Sequence, residues 1–148
     1  MKKLTLLLVV AFASFTVMSQ SSGIFTVNGL AIKGYDVVAF FKDSAAVKGY
    51  DSLRFTWKDA VWLFSSTQNL EAFKKAPEQY EPQYGGYCAY GVSDGEGHKT
   101  PVEIDTWTLL NGRLYFNYNN KVKEYWKKSQ QERILKADAN WPKLKEKG

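Results

Sequence analysis

From Leu53 to Phe64 large apolar residues fall on every second position, the period of a strand whose alternate side chains share one face. With Lys58 and Asp59 as the two turn residues, Trp57 faces Ala60, Phe55 faces Trp62 and Leu53 faces Phe64, all on one side of a hairpin. The other side carries Arg54, Thr56, Val61 and Leu63. A second hairpin is written around Asn111-Gly112, a pair suited to a type I′ turn, and its register sets Leu109 against Leu114 and Trp107 against Phe116. Each hairpin is followed by a switch to helical spacing. Ser65 or Ser66 caps a helix with Leu70, Phe73 and Ala76 inward, interrupted or restarted at Pro77 before Tyr80. After the second hairpin a helix turns Val122, Tyr125 and Trp126 inward, and a last amphipathic segment ends near Pro142.

Upstream, 21–30 reads as an extended entry with a turn at Asn28-Gly29, and Asp36 is placed to cap a helical turn from Val37 to Phe41. Lys42 to Asp51 reads as a surface loop, and so does Ser93 to Thr100. Phe64, Leu70 and Phe73 have the spacing of Phe116, Val122 and Tyr125, displaced by 52 residues. That match fits two hairpin-plus-helix units sharing one core, with Cys88 in the connection between them; three apolar matches also arise by chance. The expected fold is a small single α+β domain of two short antiparallel hairpin units packed with short helices.

Residues 1–19 read as a secretory signal: Lys2 and Lys3 lead an apolar run from Leu4 to Val17, with small residues before Gln20. The run is shorter than the ~20 apolar residues of a membrane helix. The expectation is an exported protein, periplasmic or secreted, without a membrane span and, with no cysteine at the cleavage point, without a lipid anchor. Residues 20–148 then form one domain. Losing Lys2 and Lys3 takes Lys plus Arg from 20 to 18 against 15 acids, a net charge of +3. So small and scattered an excess argues against a nucleic-acid partner. Aromatic residues make up 16% of the chain, so the core should be built from rings. Both methionines, Met1 and Met18, lie in the leader, which leaves the remainder no thioether for a soft metal.

The chain has one cysteine, Cys88, inside Pro82-Gln83-Tyr84-Gly85-Gly86-Tyr87-Cys88-Ala89-Tyr90. No internal disulfide can form, although an exported chain meets an oxidising compartment. Gly85 and Gly86 let the chain turn tightly into a helix whose first free N–H groups favour a thiolate at Cys88, the nucleophilic form. The alternative is a buried, inert thiol, since free cysteines are among the most buried residues. Tyr84, Tyr87 and Tyr90 recur every three residues and can line a pocket beside Gly85 and Gly86, or pack into the core with hydroxyls at its rim. His98, in the acidic glycine-rich loop from Asp94, can join Cys88 as a ligand to copper or zinc, or sit in a solvated loop. Glu103 and Asp105 carry the same ambiguity as a carboxylate pair.

The segments Gly34-Tyr35-Asp36-Val37-Val38-Ala39-Phe40, Trp62-Leu63-Phe64-Ser65-Ser66, Pro77-Glu78-Gln79-Tyr80, Pro82 to Ala89, Gly112 to Tyr118, and Lys136-Ala137-Asp138-Ala139-Asn140-Trp141-Pro142 resemble the YHS-domain family. The resemblance is nearer to a secreted bacterial branch, some members of which carry selenocysteine. It spans nearly the whole exported chain. Metal-binding members of the family carry cysteines at the places held here by Ala39, Ser65 and Asn69, so their thiolate site is not implied. Cys88 stands where selenocysteine occurs in the selenoprotein members, which implies a redox thiol. With no resolving cysteine, such a thiol would pass through a sulfenic acid or a mixed disulfide and need an external thiol to turn over. The competing expectation is a non-catalytic module that holds copper, zinc or a small ligand near Cys88 and the tyrosines. A third is a structural role with Cys88 inert.

Overall fold

A computed structural model describes residues 23–147, so the leader lies outside the described residues. The chain is a single α+β domain. Strands β1 (Thr26–Val27) and β2 (Leu30–Ala31) close over the Asn28-Gly29 turn, and a 3-10 turn, Ile32–Gly34, leads into helix α1 (Val37–Lys42). Strands β3 (Tyr50–Trp57) and β4 (Ala60–Phe64) form the first hairpin, followed by helices α2 (Thr67–Lys75) and α3 (Pro77–Tyr80). A second 3-10 turn, Gln83–Gly86, leads into α4 (Ala89–Ser93), the hairpin β5 (Glu103–Leu110) with β6 (Arg113–Asn117), and helices α5 (Asn120–Lys128) and α6 (Gln130–Leu144). One four-stranded sheet runs β1-β2-β4-β3, with β2 parallel to β4 through Leu30 and Val61, while β5 and β6 stand as a separate pair. Among the described residues no helix is long and apolar enough to cross a membrane.

The first hairpin turns where the pattern places it, with Lys58 and Asp59 both at positive φ (49° and 55°), a type I′ turn made without glycine. Trp57 pairs with Ala60 and Phe55 with Trp62 as expected. Leu53 does not pair with Phe64: the register slips, Arg54 pairs with Leu63, and Tyr50 takes Phe64. The strand therefore starts inside what reads as the Lys42 to Asp51 loop. The second hairpin does the same. Leu109 pairs with Leu114, but the next pairs are Thr108 with Tyr115 and then Glu103 with Asn117, so Trp107 does not pair with Phe116. Each bulge inserts three extra residues on the leading strand. In the second, Thr106 bridges the gap, its hydroxyl accepting from Asn117 N–H at 2.9 Å and lying 2.8 Å from the Asn117 carbonyl.

The two halves share one plan. β3 and β5 have 8 residues, β4 and β6 have 5, α2 and α5 have 9, and each second member is displaced by 53 residues. Ser66 caps α2 and Asn119 caps α5, each accepting from the N–H three residues on. Upstream the displacement is 52. Ile32, Lys33 and Gly34, all at positive φ, correspond to Tyr84, Gly85 and Gly86, and Asp36 to Cys88. Asp36 N–H donates to the Val47 carbonyl and Cys88 N–H to the Thr100 carbonyl. The two-unit expectation is thus met, but in a different register. Phe64, Leu70 and Phe73 correspond to Asn117, Lys123 and Trp126, and Cys88 opens the second unit instead of linking the two. Tyr125 is correspondingly not inward but 45% exposed, while Trp126 fills the buried position that Phe73 holds in the first half.

The core is aromatic. Phe73 lies 4.9 Å from the Trp62 ring and 5.1 Å from Phe64, with Trp57 edge-on at 5.6 Å. A second apolar cluster joins Tyr84, Val92, Tyr115, Trp126 and Leu144, so α6, which starts 53 residues after α3 but has 15 residues to its 4, seals the side on which Tyr84 lies.

Candidate functional site

Asp36 sets the pattern from which the cysteine site is understood. The carboxylate is fully buried, with Oδ1 accepting from the N–H of Val38 (2.9 Å) and Ala39 (3.3 Å). Oδ2 accepts from Ser65 N–H (2.8 Å), Ser65 Oγ (2.6 Å) and Asn69 Nδ2 (2.7 Å). One side chain thereby caps α1 and ties it to the start of α2, with short charge-assisted bonds. Ala39, Ser65 and Asn69 thus converge on one carboxylate.

Cys88 occupies the same place in the second half. Its Sγ accepts from Gly91 N–H at 3.4 Å and Tyr118 N–H at 3.2 Å, the counterparts of Ala39 and Ser65. The Ser65 hydroxyl and the Asn69 amide have no counterpart, because Tyr118 and Val122 stand there. In their stead Asn117, fully buried, reaches the sulfur from β6. Its Oδ1 lies 3.7 Å from Sγ and accepts from Tyr90 N–H at 3.2 Å, and its Nδ2 has no hydrogen-bond partner. Cys88 is 1% exposed, in contact with the main apolar core. Burial pushes the thiol above its ordinary value, and the N–H groups of Gly91, Tyr118 and Tyr90 pull the other way without overcoming it. The resting sulfur is a shielded thiol in a cradle of amide donors.

The tyrosines part company. Tyr84, 4% exposed, turns away from Cys88 and donates its hydroxyl to Asp138 Oδ1 at 2.9 Å. Burial raises its pKa strongly, and Asp138 adds to the effect. Tyr87 is half-buried between Phe25 and Trp141, its hydroxyl also raised by burial. Tyr90 is half-buried under Arg133, whose guanidinium carbon lies 4.1 Å from the ring centre while Nη2 donates to the hydroxyl at 3.1 Å. Gly85 and Gly86 do backbone work. A Cβ on Gly85, at φ 61°, would collide with the Gly23 carbonyl oxygen, and Gly85's own carbonyl accepts from Phe25 N–H at 2.9 Å.

Tyr84 and Gly85 also line an open cleft of about 470 Å³ together with Arg113, Asp138, Trp141 and Lys145. Lys58 and Glu81 pair at 2.9 Å on its rim. A second groove of about 670 Å³, between the tip of β5–β6 and α6, shares Arg113 and Asp138 with it. Cys88 lines neither.

His98 is exposed, next to Gly91, and among the described residues no three His, Cys, Asp or Glu side chains gather where a metal ion could be held. Glu103 and Asp105 are exposed neighbours on β5, and Asp105 accepts from Asn120 at 2.9 Å. Reasoning from the sequence missed Asn117 and Tyr118, which meet Cys88 only through the return of β6, and Arg113, which enters the cleft from the hairpin. All three, like Asp138 and Trp141, had one signal in the sequence, a place in the segments Gly112 to Tyr118 and Lys136 to Pro142 on which the resemblance rests.

Comparison with known proteins found no match: no family model, no curated protein and no solved structure is similar to this chain.

Proposed function

We propose that the protein is an exported member of the YHS-domain family in which Cys88 serves as a shielded redox thiol. The observation that carries this reading is the cradle. Amide donors that hold a carboxylate at Asp36 are repeated around the sulfur of Cys88, so they favour an anionic sulfur whenever the site is opened to a reactant. A peroxide would transfer one oxygen to the sulfur and leave as water, giving a sulfenic acid. An external thiol would displace that hydroxyl as water to form a mixed disulfide, and a second thiol would release Cys88 and carry away the disulfide. A thiol that is 1% exposed reacts only through local opening. Modification by a small alkylating agent should run on the order of 100-fold slower than in the unfolded chain, the factor set by an opening of about 3 kcal/mol. A rate that simply follows global unfolding as denaturant is raised would sink the redox reading.

The cleft favours a second reading, a module that binds a small polar ligand. It offers the rings of Tyr84 and Trp141 beside Arg113, Lys145 and Asp138, and it opens to solvent without any rearrangement. Screening small polar compounds by amide chemical shifts tests it. Shifts confined to Gly85, Arg113 and Asp138 support a ligand site, and shifts scattered over the surface refute it.

A further inference from the structure

The correspondence between Asp36 and Cys88 makes a statement about the chemistry the second cradle is shaped for. A cysteine sulfinate is an aspartate with sulfur in place of the carboxyl carbon: Cβ, a central atom, two oxygens and one negative charge. The first half shows what such a group needs. Two oxygens there accept from two N–H groups at the start of α1, from Ser65 N–H across the hairpin, and from an Asn amide nitrogen.

The second half keeps two of the three backbone donors of that set at matching positions, Gly91 N–H from α4 and Tyr118 N–H from beyond β6, while Tyr90 N–H, the counterpart of Val38 N–H, is taken by Asn117 Oδ1. It also holds an unpartnered amide nitrogen. Asn117 is fully buried with its Oδ1 3.7 Å from the sulfur and accepting from Tyr90 N–H, while Nδ2 of the same amide has no acceptor, a state that costs roughly 1–3 kcal/mol and that the Asn69 Nδ2 of the first half avoids by donating to Asp36. What the site lacks is acceptor oxygen on Cys88.

We propose that Cys88 is an oxidative modification site whose stable product is the sulfinate, held in the cradle as a second Asp36. The proposal rests on the redox reading of Cys88 and goes past it, since the cycle there stops at the sulfenic acid. A first hydrogen peroxide transfers one oxygen to the thiol sulfur, its O–O bond breaking as the S–O bond forms. The sulfur loses two electrons, the peroxide gains them, and water leaves. A second peroxide repeats the step, giving a sulfinic acid that releases its proton to solvent. The new oxygens accept from Gly91 N–H, Tyr118 N–H and Asn117 Nδ2. The product carries a charge the thiol did not, and no ordinary thiol returns it to the starting state.

Two measurements decide the matter. Treat the purified folded protein with hydrogen peroxide, follow its intact mass, and compare its melting temperature before and after; in parallel, compare the melting temperatures of C88D and C88A. The expected results are a gain of two oxygens confined to Cys88, a melting temperature at or above that of the thiol form, and C88D melting above C88A. An accumulated gain of two oxygens that lowers the melting temperature overturns the proposal, and so does C88D melting below C88A. A gain that halts at one oxygen and is reversed by thiol overturns it too, while leaving the redox reading standing. No gain at all in the folded state overturns both.

Discussion

Truncating Asp36 to alanine tests the central inference of the fold, that one buried carboxylate locks the first unit and that Cys88 is its weaker counterpart. The variant removes the acceptor for Val38 and Ala39 N–H on one side and for Ser65 N–H, Ser65 Oγ and Asn69 Nδ2 on the other. Losing the cap costs about 1 kcal/mol. Ser65 N–H and Asn69 Nδ2, left without an acceptor, cost roughly 1–3 kcal/mol each. Removing a buried charge returns part of its desolvation penalty. The expected loss is about 3 kcal/mol. At roughly 4 °C per kcal/mol for a domain of this size, the melting temperature falls by about 12 °C. Cys88→Ala loses three long bonds of a sulfur, from Gly91 and Tyr118 N–H and to Asn117 Oδ1, and a single heavy atom of packing, for about 1 kcal/mol. Urea titration followed by tryptophan fluorescence reads both variants, with unchanged slopes as the sign that the difference lies in the folded state. If Asp36→Ala costs no more than Cys88→Ala, the carboxylate is not the anchor and the equivalence of the two cradles has no energetic content.

Gly85→Ala should prevent stable folding or cost several kcal/mol, because the new Cβ meets the Gly23 carbonyl and the backbone is held at φ 61°; a cooperative melt near that of the parent would refute this. Asp59→Gly should stabilise by about 0.5–1 kcal/mol, relieving a non-glycine residue at φ 55° while leaving the pair between Lys58 and Glu81 intact, as read from the urea midpoint. A thiol whose pKa is raised on folding keeps its proton longer in the folded than in the unfolded chain. Its contribution is therefore complete below the ordinary thiol value of 9.0 and is lost as pH climbs above it. Unfolding free energies measured from pH 8 to 10 should decline less steeply in Cys88→Ala than in the parent, and equal slopes would contradict the shift.

Most of the secondary structure is legible in the sequence because turn chemistry and alternation are local. Lys58-Asp59 and Asn111-Gly112 are marked by the apolar residues on either side of them, and the pairs next to each turn follow. Registers fail beyond the bulges, since three extra residues between Arg54 and Tyr50, or between Thr108 and Glu103, leave no mark in composition. The repeat is hidden for another reason: the segment from Cys88 to Thr100 is one residue longer than that from Asp36 to Val47, which changes the displacement from 52 to 53. At the true displacement Phe64 corresponds to Asn117 and Leu70 to Lys123, so the halves share geometry without sharing apolar residues. Tyr125 was misplaced by the same reasoning, its helix turning only Trp126 fully inward. At the candidate site, Asp36 is recognisable as a cap from its neighbours, but its partners Ser65 and Asn69 lie 29 and 33 residues away. Asn117 and Tyr118 reach Cys88 from similar distances. Only the fold brings them together.

The doubled plan also divides labour in heredity. In a unit present once, a substitution at the position that joins helix to hairpin changes architecture and chemistry together, and any novelty must first survive its own damage. Here the Asp36 copy carries the structural load with the stronger acceptor. Its counterpart, held by weaker sulfur bonds and lacking the hydroxyl partner, is the one of the two where a substitution costs the fold less. New reactivity can be tried at residue 88 while residue 36 keeps the molecule folded.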